Sequence, residues 1–203
     1  MTPNGPESDE DLLLRMRSGD EQAFLTLYRK RQGAIYRFAL HMSGSPAAAE
    51  DVTQEVFLAL IREECGYDPE RGTLSSYLFG IARNLVLRNL ERDRSDVPLD
   101  SEPDSFLPEL AIAADALVDL TRKEGLEALR RAVLSLPRRY REVVILCDLQ
   151  EMDYTEAASV VGCPIGTVRS RLHRARLLLL EKLNHGSSAD PAVRALRPAR
   201  CLL

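Results

Sequence analysis

The chain has 203 residues, no tryptophan, an ordinary share of apolar residues and a formal net charge of −4 at pH 7. This length allows one medium domain or two small ones, and the negative charge excludes a protein that is uniformly basic and binds any polyanion. The charge is segregated, however. Residues 93–120 hold eight acidic residues and one arginine, which leaves the rest of the chain net basic. This pattern suits a DNA-binding protein with an acidic connector.

The cysteines and the absence of a targeting segment indicate a reduced, cytoplasmic protein. There is neither a CxxC pair nor a zinc-ligand cluster among Cys65, Cys147, Cys163 and Cys201. We therefore expect reduced thiols, with Cys163 as the more reactive because it precedes a predicted helix. The histidines have no nucleophile or ligand nearby in sequence, so no enzyme activity, metal or cofactor is predicted. No signal peptide or long apolar run is present.

Two helices are predicted at the N-terminus from apolar residues that recur every three or four positions. The first spans residues 9–18, buries Leu12, Leu13 and Met16, and ends at Gly19. The second begins at residues 20–21, and Gly33 is a place where it can bend or divide. Its buried side is predicted to consist of Phe24, Leu27, Tyr28, Ile35, Phe38, Ala39 and Met42.

A third helix is predicted from Ser45, as N-cap, to about residue 64, with Pro46 in its first turn. Helical geometry separates two faces. The apolar face is made of Val52, Val56, Ala59 and Leu60. The other face presents Asp51, Gln54, Glu55, Leu58 and Arg62. A polar face alone is usually just solvated, so this one needs further support before it counts as an interface.

A loop at residues 65–73, with Pro69 and Gly72 as breakers, precedes a fourth helix over residues 74–92. The predicted buried side of that helix is Leu74, Tyr77, Leu78, Ile81, Ala82 and Leu85. Arg83, Asn84 and Arg88 lie elsewhere on this helix, which taken alone is an ordinary amphipathic helix with a solvated basic edge.

An acidic stretch with Pro98 and Pro103 follows, and residues 95–107 are predicted to form a flexible linker. A helix can start at Pro108 and continue towards residue 136, and Pro137 opens another. The second of these contains Tyr140, Val143, Val144, Ile145 and Leu146. Residues 186–203 are predicted to be a disordered tail.

Residues 153–183 predict two helices joined by a tight corner. Asp153 and Glu156 form a capping-box pattern at the first helix, and Gly162 suits a left-handed C-cap. Pro164 suits the first turn of the second helix. The buried stripe predicted for that helix is Ile165, Val168, Leu172, Ala175, Leu179 and Leu183.

The opposite face of this last helix is strongly basic, with no acidic residue before Glu181. A helix–turn–helix with small residues at the start of its second helix and arginines along its exposed side fits a DNA major groove. Arginines there bind phosphates or guanine edges. The candidate contacts are Pro164, Gly166, Thr167, Arg169, Ser170, Arg171, His173, Arg174 and Arg176. The alternative is a solvated basic helix in a bundle.

Three stretches carry a family resemblance. LSLPRRYREVVILCDLQEMDYTEAASVVG followed by PIGTVRSRLHRAR resembles the promoter-reading region 4 of bacterial sigma factors, most closely the extracytoplasmic-function (ECF) group. AEDVTQEVFLAL is similar to the sigma segment that docks on the clamp helices of RNA polymerase. YDPERGTLSSYLFGIARNLVLRNLER resembles the segment that melts and reads the −10 promoter element. Reading an unpaired base needs a pocket, a hydrogen-bonding group and cations for the phosphates. The resemblance implies these roles for Tyr67, Arg71, Arg83, Asn84 and Arg88.

The resemblance implies an all-α fold of two small helical bundles joined by a flexible acidic linker, the C-terminal one containing the helix–turn–helix. Region 2 would span residues 9–94, the linker 95–107, and region 4 residues 108–185. Within region 2, the contacts with core RNA polymerase would be Asp51, Gln54, Glu55 and Leu58. Promoter DNA would be bound as duplex at the −35 element and as a separated strand at the −10 element.

The resemblance also allows an anti-sigma factor as a partner and implies no small-molecule substrate. Two alternatives remain at this point. A helix–turn–helix transcriptional regulator that does not replace a sigma factor would share the C-terminal pattern but would not need the polar face of the third helix. A helical adaptor or anti-factor would keep the bundles without the unopposed arginine stripe.

Overall fold

A computed structural model of the chain describes residues 7–62, 66–96 and 118–187. These residues form helices and contain no strand, as predicted. The α-helices are α1 (Asp9–Arg17), α2 (Glu21–Ser43), α3 (Pro46–Ile61), α4 (Leu74–Asp96), α5 (Val118–Leu134), α6 (Arg138–Val144), α7 (Tyr154–Val161) and α8 (Ile165–Ser187). None of the helices in the described part is long and apolar enough to cross a membrane. Most of the predicted linker, the helix start at Pro108 and the predicted tail beyond residue 187 lie outside the described residues.

Short polar side chains start the first three helices by binding backbone N–H groups that have no helical partner. Ser8 caps α1, Asp20 caps α2 and Ser45 caps α3. Gly33 does not divide α2 into separate elements, since a glycine costs a helix interior only about 1 kcal/mol and α2 is held by buried residues on both sides of it. α3 ends at Ile61, three residues before the predicted end.

The N-terminal bundle, α1–α4, buries most of the core that the sequence predicts for its first three helices, but Met16, Phe24 and Tyr28 are only partly buried. The apolar face of α3 is buried, although Ala59 is only partly so. In α4 the fully buried positions include Phe79 and Val86, while Tyr77, Ile81 and Leu85 are half-buried. The difference arises because α4 packs against α2 and α3 and also against α7. A helix with neighbours on two sides does not have the single apolar stripe that the prediction assumed.

The C-terminal bundle, α5–α8, is arranged around the predicted corner. Asp153 accepts hydrogen bonds from the backbone N–H groups of Thr155 and Glu156, and Gly162 adopts a left-handed conformation with φ of 70°. Pro164 lies just before α8 rather than inside it. Of the predicted stripe of α8, Val168, Leu172 and Ala175 are buried, but Ile165 is 37% exposed, so that part of the prediction is wrong. Ile165 is the first residue of the helix, where no preceding turn covers it.

A five-residue π-helical segment, Ile145–Leu149, continues α6. The sequence predicts an uninterrupted helix here, because Ile145 and Leu146 have the apolar character of the preceding residues. Both residues are buried in the structure. The wider turn ends at Gln150 and leads to Glu151, the only non-glycine residue with positive φ in the described ranges. This segment turns the chain back so that α7 can pack against α4.

The two bundles are in direct contact, which the sequence patterns do not predict. Arg141 donates hydrogen bonds to the Met42 carbonyl oxygen at 2.7 Å and to the carbonyl oxygens of Leu134 and Leu136 at the end of α5. Arg138 bonds to the carbonyl oxygen of Leu90. Long side chains that reach carbonyl groups of a distant segment leave no periodic signal in a sequence, so this contact appears only in the structure.

Candidate DNA and polymerase interfaces

Three of the residues predicted to read an unpaired base line one cavity of about 410 Å³. Tyr67 and Arg71 come from the loop before α4, and Asn84 comes from the third turn of α4. The rest of the lining is Gly66, Asp68, Gly72, Thr73, Ser76, Tyr77, Gly80, Ile81, Ser159 and Val160. We call this cavity the base pocket. It combines aromatic rings, an amide and a cation, which is the combination that the chemistry of base reading requires.

Local hydrogen bonds shape the loop wall of the base pocket. Asp68 accepts a hydrogen bond from the backbone N–H of Glu70 and starts a 3₁₀ turn, Pro69–Arg71. Gly72 follows with φ of 150°, a conformation that L side chains rarely adopt. The Tyr67 ring lies 5.6 Å from the Tyr77 ring. Burial and the nearby Glu10 carboxylate raise the pKa of the Tyr67 hydroxyl, which donates to Oε1 of Glu10 at 3.4 Å.

Sequence reasoning missed several pocket residues, and two of them, Tyr77 and Gly80, were missed for different reasons. Tyr77 was assigned to the helix core, but it is only half-buried and turns one side to the pocket. Gly80 was not predicted to line the pocket, although a small residue one helical turn before Asn84 is a signal of open space beside that amide. A Cβ added at Gly80 would meet no atom within 4 Å, so the glycine leaves open space there.

The two cations predicted to hold the DNA backbone are not in the base pocket. Arg88 is exposed and lies one helical turn beyond Asn84, on the same side of α4. Arg83 is partly buried and points to the other bundle, where its Nε atom lies 2.9 Å from Oε2 of Glu142. The structure thus brings Tyr67, Arg71 and Asn84 together, places Arg88 beside them, and separates Arg83 from them.

The polar face of α3 is exposed as predicted. Asp51, Gln54 and Glu55 are all exposed, and Leu58 is 38% exposed. The buried residues of α3 are on the opposite side, so these four side chains lie outside the buried face of the helix. Leu58 belongs to an apolar margin that the sequence analysis did not identify, together with Ile61, which is 50% exposed, and Leu25 of α2. A charged face beside exposed apolar side chains is typical of a protein–protein contact.

The predicted DNA-reading face of α8 is largely exposed. The exposed residues are Pro164, Gly166, Arg169, Ser170, His173, Arg174 and Arg176, while Thr167 and Arg171 are partly buried. Ser170 donates to the carbonyl oxygen of Thr167. The helix therefore presents small residues at its N-terminal end and cations further along, as the sequence predicts.

The four arginines of α8 have different surroundings. Arg171 lies 3.4 Å from Oε1 of Glu142, and Arg176 binds Asp148 through Nε at 3.1 Å and Nη2 at 2.5 Å. Arg169 lies over the Tyr154 ring, 5.7 Å from its centroid. A hydrogen bond from Arg174 lowers the pKa of the Tyr140 hydroxyl. Arg169 and Arg174 are thus the cations of this face that are exposed and not held by a carboxylate contact in the structure.

The two described cysteines, Cys147 and Cys163, are both free and partly buried. Burial, reinforced by the Asp148 carboxylate, raises the pKa of the Cys147 thiol to about 11. Only the thiolate is nucleophilic, so the fold suppresses the reactivity of this residue at neutral pH. The higher reactivity expected of Cys163 stays a prediction. Cys65 and Cys201 lie outside the described residues.

We expect iodoacetamide at pH 8 to alkylate Cys147 in the folded protein about two orders of magnitude more slowly than in the unfolded chain, whose thiol pKa is about 8.5. The rate should rise about tenfold per pH unit from pH 8 to pH 10, because the thiolate fraction does so below the pKa. Peptide mass spectrometry measures the rate at each cysteine, and a Cys163→Ser variant serves as the control. Equal alkylation rates of Cys147 in folded and unfolded protein would show that the fold does not protect this thiol.

Comparison with known proteins assigns both bundles to one class of transcription protein. The family model described as "Sigma-70 region 2" matches residues 27–95, and the model described as "Sigma-70, region 4" matches residues 126–179. The ECF RNA polymerase sigma factor SigE of Mycolicibacterium smegmatis is 33% identical over 186 residues, which cover 84% of this chain and 66% of that protein. The ECF RNA polymerase sigma factor SigW of Bacillus subtilis is 30% identical over 183 residues, covering 83% and 93%.

A solved structure supports the same assignment. The sigma factor RpoE of Bartonella quintana, in complex with the anti-sigma factor NepR, matches with a TM-score of 0.60 and 28% identity, over 75% of this chain and 91% of that one. The fold and the two matched regions thus define a sigma-70-type transcription protein. The chain belongs to the ECF family of RNA polymerase sigma factors. This favours promoter-directed initiation with core RNA polymerase over a helix–turn–helix regulator that acts without replacing a sigma factor.

Proposed function

We propose a division of labour between three surfaces of this sigma factor. The exposed face of α8 reads the duplex −35 element, the base pocket reads the separated −10 strand, and the polar face of α3 binds core RNA polymerase. The observation that carries the proposal is that Tyr67, Arg71 and Asn84, which are up to 17 positions apart in sequence, line a single cavity. The domain boundaries proposed are residues 9–94 and 108–185, with residues 95–107 as the linker.

The chemistry of the base pocket suits an unstacked nucleobase. Tyr67 and Tyr77 supply aromatic surface on which a base can stack, and stacking contributes about 1–3 kcal/mol per base. The Asn84 amide can donate to and accept from a base edge, which a charged side chain cannot do. Arg71 and Arg88 are exposed on either side of Asn84 and can hold the phosphates that flank the base. In this proposal Asn84 gives base preference, while the arginines give affinity.

The polar face of α3 suits a basic partner surface. Asp51 and Glu55 provide charge, Gln54 provides hydrogen bonds, and Leu58 and Ile61 provide apolar area at the margin. Interfaces of this composition concentrate their energy in a few residues near the centre. The relatives are named as RNA polymerase sigma factors, which supports core polymerase as the partner of this face.

Three further aspects of function are inferred from the relatives of this chain. We infer that the protein acts in the cytoplasm, where the polymerase works, and that it has no catalytic activity of its own. Its relatives carry names of sigma factors and not of enzymes. An anti-sigma factor is a further partner of the kind that the Bartonella quintana sigma factor has.

The role of Asn84 is tested by an Asn84→Ala variant on a promoter that the purified holoenzyme transcribes. We expect slower promoter opening on duplex DNA, because the amide no longer stabilises the flipped base. A template already mismatched over the −10 element should lessen the defect in opening but should not restore the preference for the native base. Opening is measured by permanganate reactivity and base preference by competition between templates.

Asn89→Ala is the matched control for this experiment, since Asn89 is on the same helix and does not line the base pocket. It should leave both opening and base preference unchanged. If Asn84→Ala also opens the duplex normally and keeps its base preference, the pocket does not read a base.

A further inference from the structure

Two arginines on one edge of α8 are held by residues that lie outside this helix. Arg169 and Arg176 are seven positions apart, which is about two helical turns, so they lie on the same side of α8. Arg176 binds the Asp148 carboxylate through two atoms, Nε at 3.1 Å and Nη2 at 2.5 Å. The guanidinium of Arg169 lies 5.7 Å from the centroid of the Tyr154 ring, within the range of a cation–π contact.

The backbone fixes the two partner residues in place. Asp148 belongs to the π-helical segment Ile145–Leu149, whose first two residues are buried. Tyr154 is the first residue of α7, which starts at a side-chain cap. Hydrogen bonding and charge attraction from Asp148 raise the pKa of Arg176, and Tyr154 adds a smaller effect of the same sign. The Tyr154 side chain is therefore close to both arginines, and the four side chains form one connected group.

Stability of the fold does not explain these contacts. The side chains of Arg176 and Asp148 are 53% and 30% exposed. Ion pairs that are this accessible contribute little to folding, because water already solvates both charges. What the contacts do remove is conformational freedom from arginines on the face proposed to bind DNA. A long side chain that is already ordered loses less entropy when it binds a partner.

We propose that Asp148 and Tyr154 are positioning residues for recognition of the −35 element. They hold two arginines of α8 in the orientation in which the helix meets its own duplex sequence. The inference rests on the proposed assignment of α8 to that element. Asp148 engages Nε and Nη2 of Arg176. A guanidinium carries five N–H donors, so this arginine keeps donors for DNA while it is held.

The Asp148 carboxylate also affects the choice of sequence through its charge. It offsets the positive charge that Arg176 presents to phosphates, and attraction to phosphates is the same for every sequence. An arginine that is offset and oriented contributes little to binding of a wrong sequence, whereas on the matching sequence it needs no reordering. Asp148 therefore lowers the affinity for wrong sequences more than the affinity for the right one.

The test uses the full chain with Asp148→Asn, which keeps the shape of the side chain and removes its charge. The probes are a fluorescent duplex with the −35 element of a promoter that the holoenzyme transcribes and a scrambled duplex of the same length. We expect tighter binding to the scrambled duplex, and a slope of log K against log salt that is steeper by about 1, as for one more phosphate contact. The ratio of the two affinities should fall about two- to tenfold, the range that ordering one long side chain costs.

Three further variants complete the test. Tyr154→Leu removes the ring beside Arg169 and should also lower the affinity ratio, whereas Tyr154→Phe keeps the ring and should keep the ratio. Glu127→Gln removes one negative charge from an exposed ion pair with Arg130 and controls for the change in net charge. It should leave the ratio unchanged. Urea denaturation of the variants completes the comparison, because a purely structural contact would change the free energy of unfolding and not the affinity ratio.

An affinity ratio equal to that of the Glu127→Gln control, in Asp148→Asn or in Tyr154→Leu, overturns the positioning role of the residue replaced. Arg169→Ala and Arg176→Ala separate this result from a failure of the proposed function. If the two arginine variants weaken duplex binding while the positioning variants keep the control ratio, α8 binds the duplex without positioning residues. If neither arginine variant affects duplex binding, the assignment of these arginines to the −35 element fails.

Discussion

Replacing Asp51, Gln54 and Glu55 by alanine together should abolish promoter-directed transcription while leaving the protein folded. The three side chains are exposed on the face of α3 opposite its buried residues, so their removal creates no cavity. Exposed substitutions of this kind usually change the free energy of unfolding by no more than about 0.5 kcal/mol each. Polymerase binding should weaken by several kcal/mol, because truncating one side of a charged interface leaves the partner charges unpaired. Co-purification with core enzyme and run-off transcription measure the two effects.

The matched control for this experiment carries Asp11→Ala, Gln22→Ala and Glu181→Ala, which remove the same three side-chain types from exposed positions on other helices. It should bind core enzyme and transcribe like the wild-type protein. Thermal unfolding of both triple variants establishes that they are folded. If the α3 variant is folded and supports full transcription, the polar face of α3 is not the surface that binds polymerase.

The arginines of α8 should separate into two groups when each is replaced by alanine. Arg169 is exposed and its nearest described contact is the Tyr154 ring, so its loss should leave stability nearly unchanged. If it forks onto a base, duplex binding should weaken by about 1–3 kcal/mol with relaxed preference at one position. If it binds phosphate, binding should weaken equally on all sequences and the salt dependence should fall. Fluorescence titrations on specific and scrambled duplexes at several salt concentrations distinguish these cases.

Arg171→Ala should behave differently, because Arg171 is one of the two partners of the buried Glu142 carboxylate. A hydrogen bond to a charged group contributes roughly 1.5–3 kcal/mol, so we expect a loss of stability of about this size. Urea denaturation measures it. An Arg171→Ala variant that unfolds like the wild type would show that Arg83 alone satisfies Glu142. If no arginine of α8 affects duplex binding, even when all four are replaced, the helix does not read DNA.

The local elements could be predicted from the sequence because their signals are local. Ser45 with Pro46, and Asp153 with Gly162, mark helix ends by chemistry that acts over three or four residues. The polar face of α3 was also predictable. The apolar residues of a helix fix which side faces the core, and the residues on the opposite side are then exposed. The pairing of Tyr67, Arg71 and Asn84 could be suggested only through the family resemblance, because the loop and the helix turn that bring them together have no shared periodicity.

The parts that were not predicted depend on contacts between distant segments. The core face of α4 was misassigned because a second neighbour, α7, covers part of it. Ile165 was assigned to the buried stripe of α8 by spacing alone, although it starts the helix and is exposed. The different surroundings of the four arginines depend on Glu142 and Asp148, which are about 30 positions away in sequence. A basic stripe in a sequence predicts that a surface is positively charged. It does not predict which group each arginine contacts.

Arg141 connects the ends of helices from both bundles, and this determines which solution conditions can disturb their contact. Its guanidinium bonds to carbonyl oxygens at the end of α2 and near the end of α5, where helices carry partial negative charge. Burial lowers the pKa of Arg141, but a guanidinium keeps its proton throughout the physiological range. Cellular acidification should therefore leave this junction intact.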